Sequence, residues 1–258
     1  MSPNIYDDLD LLYREIWGAS LHHGVWLTGH ENVFEAQETL KTLVLQQVAP
    51  QSRVADIGCG YGILAHQLLE KRNCQVTAVT DSQLQAEQIQ AHENLQILRG
   101  NWLHQKLTSH SVDTAIAIES LSHLPSFDEF LAHTIPTIAP GGKLIIADWF
   151  SDTGSSPFMK HLARSGNLPP WRSFNSFVVL AESFGLSVKQ SLNLSENVAP
   201  TWSRILFRSL LLPFRKPSLL PVIVGKIVHN PSLLWAFPLL RLAYQTGDLQ
   251  YRFVSFEK

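Results

Sequence analysis

The sequence has few cysteines and few charges, and it lacks a long apolar run. Of its 258 residues, only Cys59 and Cys74 are cysteine. They do not form a CxxC pair of the kind that binds metals, so no metal site is expected. Charged residues make up 16 % of the chain, fewer than the roughly 25 % of an average domain. No stretch of about 20 apolar residues occurs, so a membrane-spanning helix is not expected.

The sequence also lacks an excess of basic residues and a secretory leader. Lys and Arg number 20 against 22 Asp and Glu, for a net charge of -2. Nucleic-acid binding needs clustered cations, so a nucleic-acid partner is not expected. The opening segment, MSPNIYDDLDLLYREIW, is acidic and has no apolar core of a signal peptide. These features predict a cytoplasmic protein with reduced thiols.

Short apolar strands alternate with helical stretches between about residues 50 and 150. The predicted strands are RVADIG, QVTAVT, LQILRG, VDTAIAIES and KLIIADWF, and LSVKQSLNL and LQYRFVSFEK follow later. The predicted helices are 32–48, Ile63–Lys71, Gln83–Glu93 and Phe127–Ile138. This alternation predicts an α/β fold in which crossover helices join parallel strands.

The most informative motif is VADIGCGYGILAHQLL. A β-branched strand reaches Asp56, and Gly58, Gly60 and Gly62 follow before a helix. Glycines allow positive φ and let a ligand approach the backbone. The spacing is GxGxG, whereas the dinucleotide fingerprint is GxGxxG, and the acid suits an ammonium-bearing ligand better than a phosphate.

The motif D-x-G-x-G-x-G resembles the first motif of the class I methyltransferases. The resemblance implies S-adenosylmethionine as cofactor, with Asp56 orienting its amino group through a neighbouring residue or a water molecule. The second strand ends TDSQLQ, similar to a subgroup with T-x-S-x-x-Q, which implies Thr80 and Gln85 as ribose ligands and leaves Asp81 as the competing choice. Asn101 is expected to bind the adenine amino group, and Trp102 either stacks nearby or packs in the core.

Further strings indicate a narrower group. YDDLDLLYREIWGASLHHGVW, IESLSHLPSFDEF and SENVAP are similar to segments of γ-tocopherol methyltransferases and their alkaloid N-methylating relatives. The resemblance implies a Rossmann-like, seven-stranded, mostly parallel sheet with an antiparallel last strand. It also implies that a leader, residues 1–31, folds over the cofactor. Residues expected to wall the site are Tyr6, Trp17, His22 and His23, although Trp17 can equally be a core residue.

Candidate catalytic residues follow the fourth and fifth strands. Some sugar O-methylating relatives use a matching His and Asp as a base dyad, which implies His123 as general base and Asp148 as its orienter. Glu119 is expected either to bind an acceptor amine or to contact the cofactor. The sequence lacks the [DN]PP[YF] motif of enzymes that methylate nucleic-acid bases.

The stretch 202–244 is rich in Leu, Phe and Pro and is predicted to be a helical insertion. A single domain is expected, with the core formed by 32–195 and 246–258 and a helical lid at 196–245. Breaks are expected at Pro213, Pro217, Pro221, Pro231 and Pro238. Phe207, Leu210, Phe214, Trp235 and Phe237 suit a small, largely apolar acceptor.

Several functional hypotheses remain open at this point. The first is methylation of a prenylated aromatic, terpenoid or indole alkaloid at N, C or O, in specialised metabolism. Others are O-methylation of a natural-product sugar or phenol, nicotinamide-dependent oxidation, and non-catalytic cofactor binding. Because cations accompany the leucines of 202–244, this segment is alternatively a membrane-surface element.

Overall fold

The computed structural model describes residues 5–124, 126–154, 156–165, 171–229, 231 and 233–258, without the side chains of residues 5–9, 123, 164–165 and 233–234. Within this part of the chain, one seven-stranded sheet has the order β3-β2-β1-β4-β5-β7-β6. The strands are β1 (Arg53–Ile57), β2 (Gln75–Thr80), β3 (Leu95–Arg99), β4 (Val112–Ile118), β5 (Ile138–Phe150), β6 (Ser187–Asn193) and β7 (Gln250–Glu257). Strand β7 pairs antiparallel with β5 and β6, and the other pairs are parallel. The predicted α/β fold class is confirmed.

The described helices pack on both faces of this sheet. They are α1 (Ile5–Trp17), α2 (Val33–Gln47), α3 (Ile63–Arg72), α4 (Gln83–Gln88), α5 (Phe127–Thr134), α6 (Pro157–Ser165), α7 (Phe174–Ser183), α8 (Ser195–Val198), α9 (Pro200–Arg215), α10 (Leu220–His229) and α11 (Leu233–Thr246). The strand order reverses between β1 and β4, and open α/β sheets bind ligands at such a point.

Two buried clusters sandwich the sheet. Alternate residues of a strand point to opposite faces, and in β1 Val54 joins one cluster while Ala55 and Ile57 join the other. The first cluster includes residues of the leader, α2, α3 and the lid segment 196–245. The second lies under α5 and α7. The leader and the lid segment therefore share one core with the sheet.

Several predicted element boundaries differ from the structure. Helix α4 stops at Gln88 instead of Glu93, because Ile89 turns to extended backbone and buries its side chain. Helix α5 ends at Thr134, and a 3-10 turn containing Pro136 follows, because proline has no N–H for the helical ladder. Strand β5 begins at Ile138, earlier than predicted, and helix α6 was not predicted.

The lid segment is helical, as predicted, but two of the expected breaks are wrong. Pro213 and Pro238 lie inside α9 and α11. Each costs one backbone hydrogen bond, and tertiary packing offsets it, because Ile205, Leu212 and Leu240 are buried where α9 and α11 meet. Among the described residues, no helix is both long and apolar enough to cross a membrane.

Candidate active site

The glycine turn, Gly58–Gly62, joins β1 to α3 with all three glycines at positive φ, from 56° to 76°. A Cβ on Gly58 would lie 2.6 Å from Ser120 Cβ, and one on Gly62 would lie 3.0 Å from Ile89. A Cβ on Gly60 would meet nothing within 4 Å. Gly58 and Gly62 therefore serve close packing, whereas Gly60 presents bare backbone to open space.

This open space belongs to a cleft between the glycine turn and the leader. It contains about 460 Å³ of empty volume, part of it continuous with solvent. Its lining includes Asp56, Gly58, Gly60, His22 and Lys41. A bare glycine backbone beside a helix start is suited to a ligand that needs close approach to the chain.

Asp56, at the end of β1, is a buried acid with an unused acceptor. It is 3 % exposed, and among the described residues its Oδ2 atom has no hydrogen-bond partner. Burial raises its pKa to about 7, because the charged form loses its hydration. An unpaired buried carboxyl oxygen is costly, and an ammonium group in the cleft would satisfy it. The residue therefore fits the amino group of the expected cofactor.

The predicted ribose ligands lie together at the tip of β2. Thr80 donates from Oγ1 to Gln85 Oε1 at 2.8 Å, and both residues are buried. Ser82 caps α4 by accepting from the Gln85 amide, which fixes Gln85 over the strand end. Asp81, the competing candidate, is exposed. The Thr80–Gln85 role in ribose binding stays a prediction.

The two predicted adenine neighbours have different environments. Asn101 is exposed, and its side chain accepts a hydrogen bond from the Leu103 amide at 2.9 Å, which caps the 3-10 turn Trp102–His104. Trp102 is only 3 % exposed, and its indole N–H donates to Thr134 Oγ1 at 2.8 Å. Of the two environments expected for Trp102, the structure has the ring packed in the core, and its contact with the cofactor stays a prediction.

The leader crosses beside the glycine turn and is held by polar contacts. Tyr61 donates a hydrogen bond to Asp10, and the Arg14 guanidinium donates to Gln88 at 2.7 Å. From α2, the Gln37 amide donates to the Ser20 carbonyl at 2.6 Å and to the His22 carbonyl at 3.2 Å. Tyr6 lies in α1, but its side chain is outside the described part of the chain.

Lys41 is a cleft residue that the sequence analysis missed. It is 1 % exposed, its Nζ donates to Ser20 Oγ at 2.8 Å, and it lies 2.6 Å from Glu38. Burial lowers its pKa, although Glu38 opposes this. The available signal was spacing: Lys41 follows Gln37 by one turn on the apolar face of α2, where a solvated lysine is unexpected.

Glu119 directly follows β4 in a strained conformation, and its side chain accepts two hydrogen bonds and forms one ion pair. Its φ is 49°, uncommon for a residue with a side chain. Its Oε1 atom accepts from the His23 amide at 2.7 Å and from the Tyr251 hydroxyl at 2.8 Å, and it lies 2.9 Å from His23 Nδ1. Burial alone would raise the pKa of Glu119, but these contacts with His23 outweigh it and lower the pKa. Glu119 is therefore an anion fixed at the sheet edge.

His23 is fully buried inside a ring of aromatic side chains. Its ring centre lies 4.9 Å from Trp202, 5.1 Å from Tyr251 and 5.3 Å from Trp149. The hydroxyl oxygen of Tyr244 lies 3.4 Å from the Nε2 atom of His23.

Two further leader residues lie near this ring. Trp17 is buried, and its ring centre lies 5.7 Å from that of Trp202, so it joins the leader to the lid segment. His22, on the neighbouring position, donates from Nδ1 to the His23 carbonyl, and burial lowers its pKa to about 4.

An aromatic wall, formed by Trp149, Trp171, Trp202 and Phe237, continues from this ring. Consecutive ring centres are 5.6 Å apart for Trp171 and Trp149, 6.0 Å for Trp149 and Trp202, and 5.9 Å for Trp202 and Phe237. Trp149, Trp171 and Phe237 are only partly buried. Because Trp149 follows Asp148 in β5, the wall lies at the carboxyl end of the central strands.

Asp148 holds the turn that carries His123. Its Oδ2 atom accepts from the Leu121 amide at 2.8 Å, and its Oδ1 atom accepts from the Trp149 amide at 2.8 Å. Burial, helped by the negative charge of Glu119, raises its pKa to about 8. The His123 side chain lies outside the described part of the chain, so the predicted dyad stays a prediction.

The SENVAP string ties the lid segment to the leader. Asn197 accepts at its carbonyl from the Trp26 amide and donates from its side chain to the Trp26 carbonyl. Just beyond the string, Thr201 Oγ1 accepts from the Trp26 indole at 2.9 Å and from the Gly24 amide at 3.2 Å. Gly24 is required here, because a Cβ would lie 2.5 Å from Ala36 Cβ.

Comparisons with known proteins agree with this architecture. Residues 55–144 match the family model described as a methyltransferase domain. The chain is 27 % identical over 235 residues to a probable chloroplastic tocopherol O-methyltransferase of Oryza sativa subsp. japonica and 26 % identical over 238 residues to the tocopherol O-methyltransferase of Arabidopsis thaliana. Each match covers 80 % of this chain but 65 % and 68 % of the relatives, so the chain spans about two thirds of their length.

A solved structure supports the same fold. Mycolic acid cyclopropane synthase, complexed with SAH and CTAB, superposes with a TM-score of 0.83 at 18 % identity, covering 98 % of this chain and 95 % of the other. At this identity the likeness concerns the fold. The matched domain and the shared fold agree with the resemblance of the glycine turn and the leader to class I S-adenosylmethionine-dependent methyltransferases: residues 55–144 match a methyltransferase domain, and the chain has the fold of such an enzyme.

Proposed function

We propose that the protein transfers a methyl group from S-adenosylmethionine to a small, largely apolar acceptor, such as a prenylated aromatic, a terpenoid or an indole alkaloid. The observation that carries this proposal is the aromatic wall at the carboxyl end of the central strands. Partly exposed indole and phenyl faces favour ring or prenyl groups, which lose water contact at little cost. The similarity to tocopherol O-methyltransferases supports the same acceptor class.

Different residues around the glycine turn would bind different parts of the cofactor. Asp56 would receive the ammonium group at its unpaired Oδ2 atom, and Lys41 with Ser20 would hold the carboxylate. Thr80 and Gln85 would serve the ribose, and Gly60 would leave room for the chain of the ligand. When bound, the cofactor supplies an activated methyl group on a positively charged sulfur.

The protein then has to align the acceptor and exclude water. Alignment of two reactants supplies much of the rate enhancement in such a transfer. Aromatic faces such as Trp149 attract a nearby cation, and the fixed anion Glu119 favours positive charge at this edge. The buried His23 and the lid residues around it close this edge to solvent.

A second candidate is O-methylation of a phenol or sugar hydroxyl with help from a base. The observation that favours it is Asp148, whose pKa is raised to about 8 and which anchors the turn of His123. A base whose pKa lies near the working pH transfers protons efficiently. Either His123 or the Asp148 carboxylate would accept the hydroxyl proton.

A turnover screen tests the proposal. Purified protein and labelled S-adenosylmethionine are incubated with prenylated phenols, terpenoid alcohols, indole alkaloids, sugars and amino acids. Labelled product is expected with ring or prenyl acceptors. Trp171→Ala should raise KM for the acceptor severalfold. Phe184→Ala is the control and should leave KM unchanged, because Phe184 is a partly buried aromatic residue of the other core cluster. Turnover confined to polar metabolites would contradict the proposal.

A further inference from the structure

The lid segment has an unusual charge composition. No Asp or Glu occurs between Glu196 and Asp248, yet the same stretch contains Arg204, Arg208, Arg215, Lys216, Lys226 and Arg241. The whole chain has a net charge of -2, so the rest of the molecule is acidic. Lys216 is paired with Glu15 of the leader at 3.3 Å. Positive charge is therefore concentrated on one segment of an otherwise acidic protein.

The same segment exposes most of the large apolar side chains found at the surface. Of the fifteen exposed large hydrophobic residues in the described chain, nine lie between Phe207 and Leu242. Helix α9 places Phe207, Leu210 and Phe214 at a spacing of three and four residues, hence on one face. Phe214 is 81 % exposed. A concentration of apolar residues at the surface marks an interaction site.

Helix α10 is the clearest unpartnered element. Its sequence is LPVIVGKIVH, and none of its residues is buried. Val224 and Val228 lie one turn apart and are both exposed, and Lys226 lies between them. A helix that is apolar nearly all round is expected in a core or against an apolar phase.

We propose that helices α9 and α10 dock on the surface of an anionic lipid bilayer. Apolar side chains enter the boundary between headgroups and acyl chains, and Arg and Lys extend to the phosphates. Charge decides against a second copy of the chain, because a two-fold dimer puts the same patch against itself. Cations would then face cations with no acid from the segment to pair them.

Vesicle co-sedimentation tests this surface without any methyl acceptor, so its result is independent of the proposed reaction. The protein should sediment with vesicles of phosphatidylcholine mixed with phosphatidylglycerol and should stay in solution with phosphatidylcholine alone. High salt should release it, because surface charge attraction is screened. Trp235 lies at the start of α11, the next helix after α10, and is 67 % exposed. Brominated lipid should quench its fluorescence, and Trp235→Phe should lose this component.

Paired variants separate charge from apolar contact. Arg215→Gln with Lys226→Gln should lower the vesicle partition coefficient by roughly tenfold or more. Phe214→Ser with Val228→Ser should lower it severalfold. The matched control, Leu84→Ser with Val179→Ser, removes exposed apolar residues on other helices and should bind like the native protein. Thermal melting and circular dichroism confirm folding of each variant.

Three outcomes would overturn the proposal. The first is no sedimentation with anionic vesicles. The second is unchanged binding and unchanged quenching in the folded variants. The third is a dimer in sedimentation velocity that dissociates in the Phe214→Ser, Val228→Ser protein without any vesicle binding, which would assign the surface to a second copy.

Discussion

At the scale of single residues, Asp56 shows how burial prepares a carboxyl group for one particular partner. Its unpaired oxygen and its pKa of about 7 have the same cause, which is removal from water without a compensating donor. Asp148 and Glu119, at the ends of the neighbouring strands, have pKa values that are shifted in opposite directions. Glu119 is kept charged by His23, whereas burial and the charge of Glu119 raise the pKa of Asp148 to about 8. Neighbouring acids with separated pKa values can take different roles.

The first prediction concerns the pH dependence of cofactor binding. Above its pKa of about 7, Asp56 is a carboxylate and meets an ammonium group directly. Below this pH, binding must displace a proton, so the Kd for S-adenosylhomocysteine should rise by up to about tenfold per pH unit. Calorimetric titration on both sides of pH 7 measures it. The Asp56→Asn variant should bind S-adenosylhomocysteine weakly at every pH. The control, Asp128→Asn, changes an exposed residue and should keep the native pH dependence of Kd. A Kd of the native protein that does not change with pH would contradict the assignment.

The second prediction concerns the ribose ligands. The Thr80→Val, Gln85→Ala double variant should weaken binding of S-adenosylhomocysteine by about 1–3 kcal/mol, because buried polar groups of the ligand would lose their partners. Asp81→Ala is the matched comparison, since Asp81 is adjacent and exposed. If Asp81→Ala impairs binding and the double variant does not, the ribose is bound one residue further along.

At the scale of elements, the glycine turn and the SENVAP connection perform separate tasks. In the turn, the space beside Gly60 is open, whereas neighbouring side chains occupy the space beside Gly58 and Gly62. The connection, through Thr201, holds the start of α9 against the leader. Neither task is visible in a hydrophobicity pattern, because one depends on a missing side chain and the other on a single hydroxyl group.

The third prediction separates backbone strain from ligand contact. Gly60→Val should reduce affinity for S-adenosylhomocysteine by more than about tenfold, because a branched side chain enters the cleft. Gly185→Val is the control, since Gly185 also has a positive φ, of 86°, and open space around it, but lies between α7 and β6. Both variants should lower the melting temperature. Equal affinities of the two folded variants would show that Gly60 does not face the cofactor.

The fourth prediction concerns the connection between leader and lid segment. Thr201→Val keeps the shape but leaves the Trp26 indole and the Gly24 amide without an acceptor. Unfolding free energy should fall by about 1–3 kcal/mol, and hydrogen exchange should increase at residues 24–26. Thr246→Val, which removes an exposed hydroxyl bonded to Asp248, should change neither quantity appreciably. Exchange at 24–26 that stays at the native rate would contradict the role of Thr201.

At the scale of the whole molecule, the fold followed from the sequence more readily than the site. The central strands are largely buried apolar runs between turn residues, so their order along the chain was predictable, as was the antiparallel β7 from the resemblance. The cluster around Glu119 was not predictable in full. Tyr251 lies 132 residues away in the chain and Tyr244 still contacts His23 from the lid segment.

Two residues show why composition is a weak guide to position. Lys41 was not among the predicted site residues, yet it is buried against Ser20 and Glu38 beside the cleft. Trp102 was expected either to stack near the adenine or to pack in the core, and its indole N–H donates to Thr134 in the core. In both cases the deciding partner lies on another element, and only the folded chain brings the two together.

The structure of the complex with S-adenosylhomocysteine would show whether the cleft and the aromatic wall form one active site. We expect the amino group at Asp56 and the ribose at Thr80 and Gln85. The sulfur should face the aromatic wall of Trp149, Trp171, Trp202 and Phe237. A ligand bound away from the glycine turn, or a sulfur that faces solvent with the segment 202–244 distant from it, would contradict the account.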